Sequence, residues 1–372
     1  MKALRVTAIV SICSLGLAFV LKAQEGPLGT GTDTVAKPRK APDTTEPDQP
    51  KIPSKYGKDK EIPTNIPVFR SDAITVSVDV AVLDNKNHFI PKIPKDKFRI
   101  MEDNVPQQVT GYSIGEAPMT ITMVIEFSNL YQNFYSQTWF QTLNAAYGFV
   151  QTLKPDDYVA VVAYDIRPEI LSDFSIDRQK TYEAMQRLRI AGFSEANLYD
   201  ALVDTEQRMQ DIEGRKAIVL ISSGVDTFSK LTFDKTRRSI QDAGVPIYAL
   251  GLMQAIRIVA EPHMGPEQEM KFLQADNQMR TFAKESGGMS FFPRFYGEFP
   301  EIFRAIADSM RNQYVLTYSP TNQARDGKLR KIKVELVNPD NNEPLRVVDE
   351  KGKPIKYQII AKTGYTAPRE VE

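Results

Sequence analysis

The sequence contains few of the residues that most often bind metals or form covalent cross-links. Its 372 residues include one cysteine, Cys13, and two histidines, His88 and His263. Without Cys13 a mature chain would have no disulfide, no thiolate zinc site and no cysteine nucleophile. The histidines lie in a turn-rich segment and beside a proline, not at the spacing of a metal-binding helix, so we expect both on the surface.

Charge of either sign is not in excess. The 47 Lys and Arg residues balance 47 Asp and Glu residues, and the isoelectric point is near 6.8. A nucleic-acid-binding protein needs a basic field or a basic patch, and the sequence contains neither. We therefore expect no nucleic-acid partner.

Several motifs of common enzymes are also absent. The sequence contains no Gly-x-Ser-x-Gly, no P-loop, no GxGxxG and no HExxH. Ser222, Ser223 and Gly224 follow a predicted strand and suggest a nucleophile, but the sequence places no base near them. We expect a non-enzymatic protein, and the alternative is a hydrolytic enzyme that uses the crevice at the carboxyl edge of the sheet.

Residues 1–23 have the composition of an export signal. Lys2 and Arg5 precede an apolar run, Val6 to Leu21, that is shorter than the roughly 18 residues of a membrane span. The small residue Ala23 suits cleavage by a signal peptidase. We expect a secreted or periplasmic protein with no membrane span in the mature chain, and the alternative is an uncleaved N-terminal anchor.

A change in composition separates this segment from the rest of the chain. Residues 24–68 contain many prolines and almost no large apolar residues. Such a segment buries too little surface to offset its ordering entropy, so we expect a disordered linker. The expected limits beyond it are 69–118 and 313–368 for two parts of a β domain, 119–312 for an α/β domain, and 369–372 for a tail.

Apolar patterning predicts the fold class. Met119–Phe127 is a nearly continuous apolar run, typical of a strand covered on both faces. Strand and helix patterns then alternate up to Arg311, which predicts a doubly wound, mostly parallel sheet with ligand sites beyond the carboxyl ends of its strands. Phe140, Leu143 and Val150 are expected in the core. The predicted helices are 132–153, 177–189, 198–212, 233–243, 267–286 and 298–311.

Both flanking regions have β patterns. Ile74 to Val82 alternates between apolar and polar residues, which predicts a strand with one buried face. Asp103-Asn104 predicts a tight hairpin, and three more strands are predicted after Asn312: QYVLTYSP, LRKIKVELVN and KYQIIAKTGY. Each region has too few strands for an independent sandwich, so we expect them to pair into one discontinuous all-β domain.

Six short motifs carry a family resemblance. They are EDNVPQ (102–107), VIEFSNL (124–130), ANLYDAL (196–202), VLISSGVDT (219–227), QYVLTYSP (313–320) and GYTAP (364–368). The α/β region resembles a von Willebrand factor type A (VWA) domain, and the chain resembles the secreted bacterial VWA-related family of acidobacterial type. The resemblance implies a protein-protein interaction or adhesion module.

The same resemblance implies a cation site whose ligands are mostly replaced in this chain. VWA domains with an intact metal-ion-dependent adhesion site (MIDAS) use an Asp-x-Ser-x-Ser, a Thr and a second Asp. The matching positions are Glu126, Ser128, Leu130, Ala196 and Ser223, and only Ser128 is unchanged. Magnesium prefers octahedral oxygen ligands, which Leu130 and Ala196 cannot supply. We expect a degenerate MIDAS with no cofactor, and bound Mg²⁺ or Mn²⁺ is the alternative.

The loops around these positions provide a candidate partner-binding face. Its expected residues are Asn129, Tyr131, Tyr135, Glu195, Asn197 and Asp226. Tyrosine suits interfaces because it combines an apolar ring with a polar hydroxyl. Asp165, Glu195, Asp200 and Asp226 lie on or near the same loops and could in principle supply a cation with carboxylates. We expect instead that Asp200 stabilises a helix N-terminus and that Asp226 stabilises a turn. The expected partner is a protein or a cell-envelope component, and a purely structural envelope subunit is a third possibility.

Overall fold

The computed structural model describes residues 74–114, 118–128, 143, 146–188, 193–260, 265–348 and 352–369, all within the compact unit Arg70–Glu372. The expected signal peptide and linker, residues 1–68, lie outside this part of the chain. No helix in the described ranges is both long and apolar enough to cross a membrane.

The described chain begins with four strands. They are β1 (Val76–Asp84), β2 (Phe98–Glu102), β3 (Val105–Gln107) and β4 (Val109–Ile114). Asp103 and Asn104 have φ angles of 47° and 67° and form the tight turn between β2 and β3 that the sequence predicts.

Alternating strands and helices follow. The strands are β5 (Met119–Glu126), β6 (Tyr158–Tyr164), β7 (Pro168–Ser175), β8 (Arg215–Ser222), β9 (Ile247–Gly251) and β10 (Ser290–Phe291). The helices are α1 (146–152), α2 (Arg178–Gln186), α3 (Leu198–Gln210), α4 (Phe233–Ala243), α5 (Met253–Ala260), α6 (Pro266–Ser286) and α7 (Phe299–Arg311). The sequence predicts every one of these helices except α5.

The six strands of this α/β part lie in the order β10-β9-β8-β5-β6-β7. Neighbours from β10 to β6 are parallel, and β7 pairs antiparallel with β6. From β5 the chain runs to β6 and β7 on one side and then crosses to β8 on the other, so the strand order reverses at β5. The sheet is therefore doubly wound and mostly parallel, as predicted.

Helices cover both faces of this sheet. Every residue of β5 is buried; Ile125 packs in the core formed with α1, α2 and α7, while Val124 packs in the core formed with α3, α4 and α6. Leu143 and Val150 lie in the first of these cores, as predicted, and Phe140 is outside the described residues. A strand covered in this way has no solvated face, which explains its continuous apolar sequence.

Capping residues determine the limits of α4. Thr232 Oγ1 accepts a hydrogen bond from Lys235 N at 3.5 Å, and Gly244 follows the last residue with a φ of 62°. Both signals are readable in the sequence, and the predicted limits 233–243 are confirmed. By contrast, α5 has only eight residues, too few to show a helical repeat of apolar positions.

After α7 the chain returns to short strands. They are β11 (Tyr314–Tyr318), β12 (Leu329–Leu336), β13 (Val347–Val348), β14 (Pro354–Ile355), β15 (Tyr357–Ala361) and β16 (Gly364–Thr366). Two four-stranded sheets, β15-β1-β11-β4 and β16-β12-β2-β3, form a sandwich around one apolar core. Strands from both ends of the chain thus pair in one sheet, as expected. The domain limits 69–118 and 313–368 stay predictions.

Two details of this sandwich differ from the predictions. KYQIIAKTGY is two strands and not one, because Lys362 and Thr363 separate β15 from β16 and the two pair in different sheets. The second half of β1 is buried on both faces, since Ala81 is as inaccessible as its apolar neighbours. The second face lies toward the amino ends of the strands in the six-stranded sheet, here called its amino edge. There Asp79 interacts electrostatically with Arg215, the first residue of β8.

Candidate functional site

The candidate site lies at the carboxyl ends of the three central strands of the α/β sheet. Glu126 ends β5 opposite Tyr164, the last residue of β6, and Ser222 ends β8 on the other side. Because parallel strands end at the same edge, their register brings these three side chains together. This is also the position where the strand order reverses, at which doubly wound sheets bind ligands.

Hydrogen-bond donors surround the carboxylate of Glu126, which is only 1% exposed. Ser128 Oγ donates to Oε1 at 2.8 Å. Oε2 accepts hydrogen bonds from Ser223 Oγ and Ser223 N, both at 2.7 Å, and from Ser222 Oγ at 3.0 Å. Neutral hydroxyl and amide groups thus compensate the burial of this carboxylate.

Ser222 connects Glu126 to Tyr164. Ser222 Oγ accepts hydrogen bonds from the Tyr164 hydroxyl at 2.7 Å and from Gly224 N at 2.8 Å, and it donates to Glu126. The donor and both acceptor positions of this hydroxyl are therefore filled. Burial and the nearby Glu126 carboxylate raise the pKa of Tyr164 well above its ordinary value, so its phenol keeps its proton at neutral pH.

The oxygen donors at this edge do not suit a divalent cation. Ala196 is buried and offers no side-chain oxygen, and Leu130 lies outside the described residues. The hydroxyls of Ser128 and Ser223 donate to Glu126, so a cation would have to displace hydrogen bonds that already satisfy the carboxylate. Within the described ranges, no cluster of three or more His, Cys, Asp or Glu side chains could hold a metal.

Two carboxylates near this edge hold backbone amides. Asp226 accepts hydrogen bonds from Ser229 Oγ at 2.5 Å and from Tyr199 N at 3.3 Å. Burial raises the pKa of Asp226, and these two hydrogen bonds partly offset that effect. Asp200 accepts from the amides of residues 230 and 231, both at 3.0 Å. Both carboxylates therefore fix the loop after β8 against the start of α3.

The other two nearby carboxylates have local roles. Asp165 Oδ1 accepts a hydrogen bond from Arg167 N at 3.3 Å. Glu195 is exposed, and its Oε2 accepts from Ser194 N at 3.1 Å. Both carboxylates thus accept hydrogen bonds from nearby backbone amides, and the structure shows no hydrogen bond that links either one to Glu126. The described part of the edge therefore does not gather acidic groups as a cation site does.

The structure brings Ser222 and Ser223 next to a carboxylate, which the sequence does not reveal. The two serines are 0% and 2% exposed, and Glu126 is equally buried. A nucleophile must contact its substrate, and its base must be free to accept the released proton. Buried hydroxyls that already donate to a buried carboxylate suit a structural role better than nucleophilic catalysis.

The residues of the predicted partner face have different positions. Those outside the described residues are Asn129, Tyr131 and Tyr135. Of the others, Glu195 is exposed and Asp226 is half-buried, whereas Asn197 is only 6% exposed and its Nδ2 donates to Ile166 O at 2.6 Å. Asn197 therefore positions the loop before α3 and does not offer its side chain to a partner.

Two exposed phenylalanines at this edge were not predicted. Phe193, before α3, is 50% exposed, and Phe228, after β8, is 63% exposed. Their loops are tied together because Thr227 N donates to Ala196 O at 2.9 Å and Ala196 N donates to Thr227 Oγ1 at 2.8 Å. The only signal in the sequence is a single aromatic residue within each polar loop. Exposed aromatic rings on neighbouring loops are typical of a binding surface.

Comparison with known proteins gives weak matches. No family model and no curated protein matches the chain. Similar solved structures include a von Willebrand factor type A protein from Catenulispora acidiphila, at 12% identity, TM-score 0.42, 79% of this chain and 75% of that chain. Proximal thread matrix protein 1 from the mussel byssus matches at 13% identity, TM-score 0.41, 56% of this chain and 51% of that chain. The vWF domain of the type V pili tip protein Mfa5 from Porphyromonas gingivalis matches at 14% identity, TM-score 0.40, 53% of this chain and 96% of that chain.

The chain thus spans about half the length of the mussel protein. All three TM-scores and identities are low. The α/β fold class rests on the observed strand order and direction, and these matches add no functional argument to it.

Proposed function

We propose that this chain is an exported interaction protein that binds another protein or an envelope component through the carboxyl edge of its α/β part, without an obligatory cation. The observation that carries the proposal is the pair of exposed rings, Phe193 and Phe228, on two loops joined by backbone hydrogen bonds. Aromatic side chains bury a large area at a small entropic cost, so they serve well as anchors in an interface. The VWA-like motifs in the sequence agree with an interaction role.

The hydrogen bonds to Glu126 support the proposed independence from a cation. In the MIDAS arrangement implied by the sequence, a divalent ion would join loop oxygens to the partner. Here Ser128 donates to Oε1, and Ser222 Oγ, Ser223 Oγ and Ser223 N donate to Oε2, so a cation would compete with these hydrogen bonds. Partner binding would then depend on shape and apolar contact, with affinity unaffected by chelators.

The two alternative functions have less support. A hydrolase would need accessible reactive groups, whereas Ser222 and Ser223 are buried. A purely structural subunit has no need for exposed aromatic side chains on loops, which cost solubility without adding stability.

Differential capture tests the proposed face. The mature chain and the double variant Phe193→Ala, Phe228→Ala are used as baits in envelope extract with a chelator, and captured proteins are quantified by mass spectrometry. A control double variant, Val105→Ala with Val348→Ala, removes exposed apolar side chains from β3 and β13 instead. Proteins captured by wild type and control but not by the double variant support the proposal. Equal capture by all three baits, or capture only with added magnesium, contradicts it.

Export is tested separately. N-terminal sequencing of the protein recovered from the periplasm or the medium should begin near Gln24. Recovery of a chain that retains Met1 in the cytoplasmic fraction would contradict export.

A further inference from the structure

A groove lies where the open sides of three strands meet. It is bounded by β10 of the α/β part, by β15 and β12 of the sandwich, and by α6, and its volume is about 510 Å³. β10 and β15 are the outermost strands of their sheets, and β16 covers only the first part of β12, Leu329 to Lys331. Open strand edges carry backbone groups that can pair with an added strand.

Hydrogen bonds between β1 and residues 88–90, on the side of β1 away from β15, show where the backbone groups of β1 point. Val82 O accepts a hydrogen bond from Ile90 N, and Asp84 N donates to His88 O, both at 2.8 Å. In an antiparallel sheet, successive residues direct their N–H and C=O groups to opposite sides. Val82 and Asp84 therefore direct theirs away from β15.

It follows which residues of β15 pair with β1. Ala81 and Leu83 must direct their backbone groups toward β15, where they lie opposite Ile360 and Gln358. Ile359, between these two, directs its N–H and C=O to the open side that forms the groove. Among the hydrogen bonds of the described residues, none fills these two groups of Ile359.

β12 has the same arrangement on its open side. Ile332 N donates to Thr363 O at 2.8 Å, and Leu336 O accepts from Leu345 N at 3.0 Å, so these residues direct backbone groups away from β2. Val334 lies midway between Ile332 and Leu336. Because backbone groups alternate in direction along a strand, those of Val334 also point away from β2. Its backbone groups also face the groove, which Val334 lines.

The side chains that line the groove are basic. Arg280 and Lys284 lie one turn apart on α6 and are exposed, and Lys333 is exposed on β12. No Asp or Glu is among the lining residues. Lys333 pairs with Glu335 at 2.8 Å, but neither Arg280 nor Lys284 forms a salt bridge within the described ranges. The Arg280 guanidinium lies 3.9 Å from the centre of the Phe292 ring, which holds it at the rim.

We propose that this groove binds an extended acidic segment of a partner protein, which adds as a strand beside β15 and places its carboxylates near Arg280 and Lys284. Main-chain pairing with Ile359 supplies affinity that does not depend on sequence, and the two cations select acidic side chains. The inference is independent of the proposed carboxyl-edge function, because it concerns a different surface of the molecule.

Two synthetic peptides test the proposal. Both are capped and fluorescently labelled, one alternating Val and Glu and the other alternating Val and Lys, and binding to the mature chain is followed by anisotropy. We expect the Glu peptide to bind and the Lys peptide not to bind. Binding of both with equal affinity, or of neither at millimolar concentration, overturns the proposal.

Two variants locate the binding site. Ile359→Pro removes the outward N–H without removing a hydrogen bond to β1, and Ile359→Val is its matched control. The double variant Arg280→Glu, Lys284→Glu reverses the rim charge at exposed positions. Circular dichroism and urea unfolding check its fold, because Arg280 also interacts electrostatically with the buried Asp276. We expect each to weaken Glu-peptide binding by about tenfold or more, equivalent to about 1.4 kcal/mol.

The controls make the outcome decisive. The charge-reversed variant should gain affinity for the Lys peptide, and Phe193→Ala, Phe228→Ala should bind the Glu peptide like wild type. Unchanged affinity in the charge-reversed variant contradicts the proposal even if Ile359→Pro fails to fold. Equal affinity of folded Ile359→Pro and Ile359→Val would exclude strand addition at β15.

Discussion

The two edges of the six-stranded sheet each bury a carboxylate, but they compensate its charge in different ways. At the carboxyl edge, Glu126 is held by hydroxyls and one amide. At the amino edge, Asp157 is fully buried; it accepts from the amides of Met119 at 3.0 Å and Lys154 at 2.8 Å, and it pairs with Arg311 at 2.7 Å. Neutral donors compensate the charge of Glu126 at the carboxyl edge, and the Arg311 guanidinium compensates the charge of Asp157 at the amino edge.

The difference matches what lies beyond each edge. Arg215 at the amino edge donates to Gln313 Oε1 at 3.0 Å, directly before the sandwich strand β11, and it interacts electrostatically with Asp79 of β1. Charged pairs there join the α/β part to the sandwich. At the carboxyl edge the loops around Phe193 and Phe228 present apolar rings to solvent. The amino edge thus contacts the sandwich, whereas the carboxyl edge exposes apolar rings, where we propose that a partner binds.

Removal of Asp157 should have the largest effect on stability. Asp157→Ala leaves two amides and the Arg311 guanidinium without their acceptor, and loss of one partner of a buried ion pair costs about 3–5 kcal/mol. Urea unfolding should show this decrease. Asp156→Ala, at the exposed neighbouring position, is the control and should change little. A loss as small as in the control would show that the ion pair does not stabilise this edge.

Removal of Glu126 should cost less. Glu126→Ala orphans buried donors of Ser222 and Ser223, and unsatisfied buried polar groups cost about 1–3 kcal/mol. No buried cation is left unpaired, so the loss in urea unfolding should be smaller than for Asp157→Ala. Glu195→Ala, exposed on the same edge, is the control. An unchanged stability in Glu126→Ala would contradict the hydrogen-bonded role of the carboxylate.

Tyr164→Phe should have a smaller effect that depends on pH. It removes the hydrogen bond to Ser222 at 2.7 Å, worth about 1 kcal/mol, and a longer one to Glu126 Oε2 at 3.4 Å. The folded-state pKa of Tyr164 is raised above its unfolded value near 10, so its contribution is complete below pH 10 and is lost as pH rises further. Wild type should therefore lose stability above pH 10 more steeply than the variant. Identical slopes in denaturant titrations over that range would contradict this assignment.

The smallest effect on stability is expected at the exposed rings. Phe193→Ala, Phe228→Ala should leave the free energy of unfolding within about 0.5 kcal/mol of wild type per substitution, because exposed side chains contribute little. Thermal and urea unfolding check this. A loss comparable to that in Glu126→Ala would show that the rings support the fold, which would remove the main argument for a binding face.

The sequence predicts the fold well where local signals are strong. The continuous apolar run of β5 and the caps Thr232 and Gly244 of α4 determine those elements. The separation of β15 from β16 is not predictable locally, since KYQIIAKTGY is apolar enough for one strand. Assignment to two sheets depends on pairing with β1 and β12, which lie far away in sequence.

The candidate site is less predictable from the sequence. The sequence predicts a degenerate MIDAS from a resemblance, but contact of Glu126 with Ser222 and Ser223 depends on the register of β5 against β8. Similarly, nothing local distinguishes exposed Phe228 from a buried loop aromatic. Side-chain contacts between strands distant in sequence are a property of the assembled sheet.

Thermal unfolding with and without a divalent cation tests the central claim most directly. The claim is that hydrogen bonds from the protein satisfy Glu126, so a cation has no site there. Millimolar Mg²⁺ or Mn²⁺, compared with a chelator, should leave the unfolding temperature of the mature chain unchanged. The same addition should also leave the unfolding temperature of Glu126→Gln unchanged. A ligand that binds only the folded state at 100 times its Kd stabilises it by about 2.7 kcal/mol. A clear rise in wild type that is lost in Glu126→Gln would contradict the account.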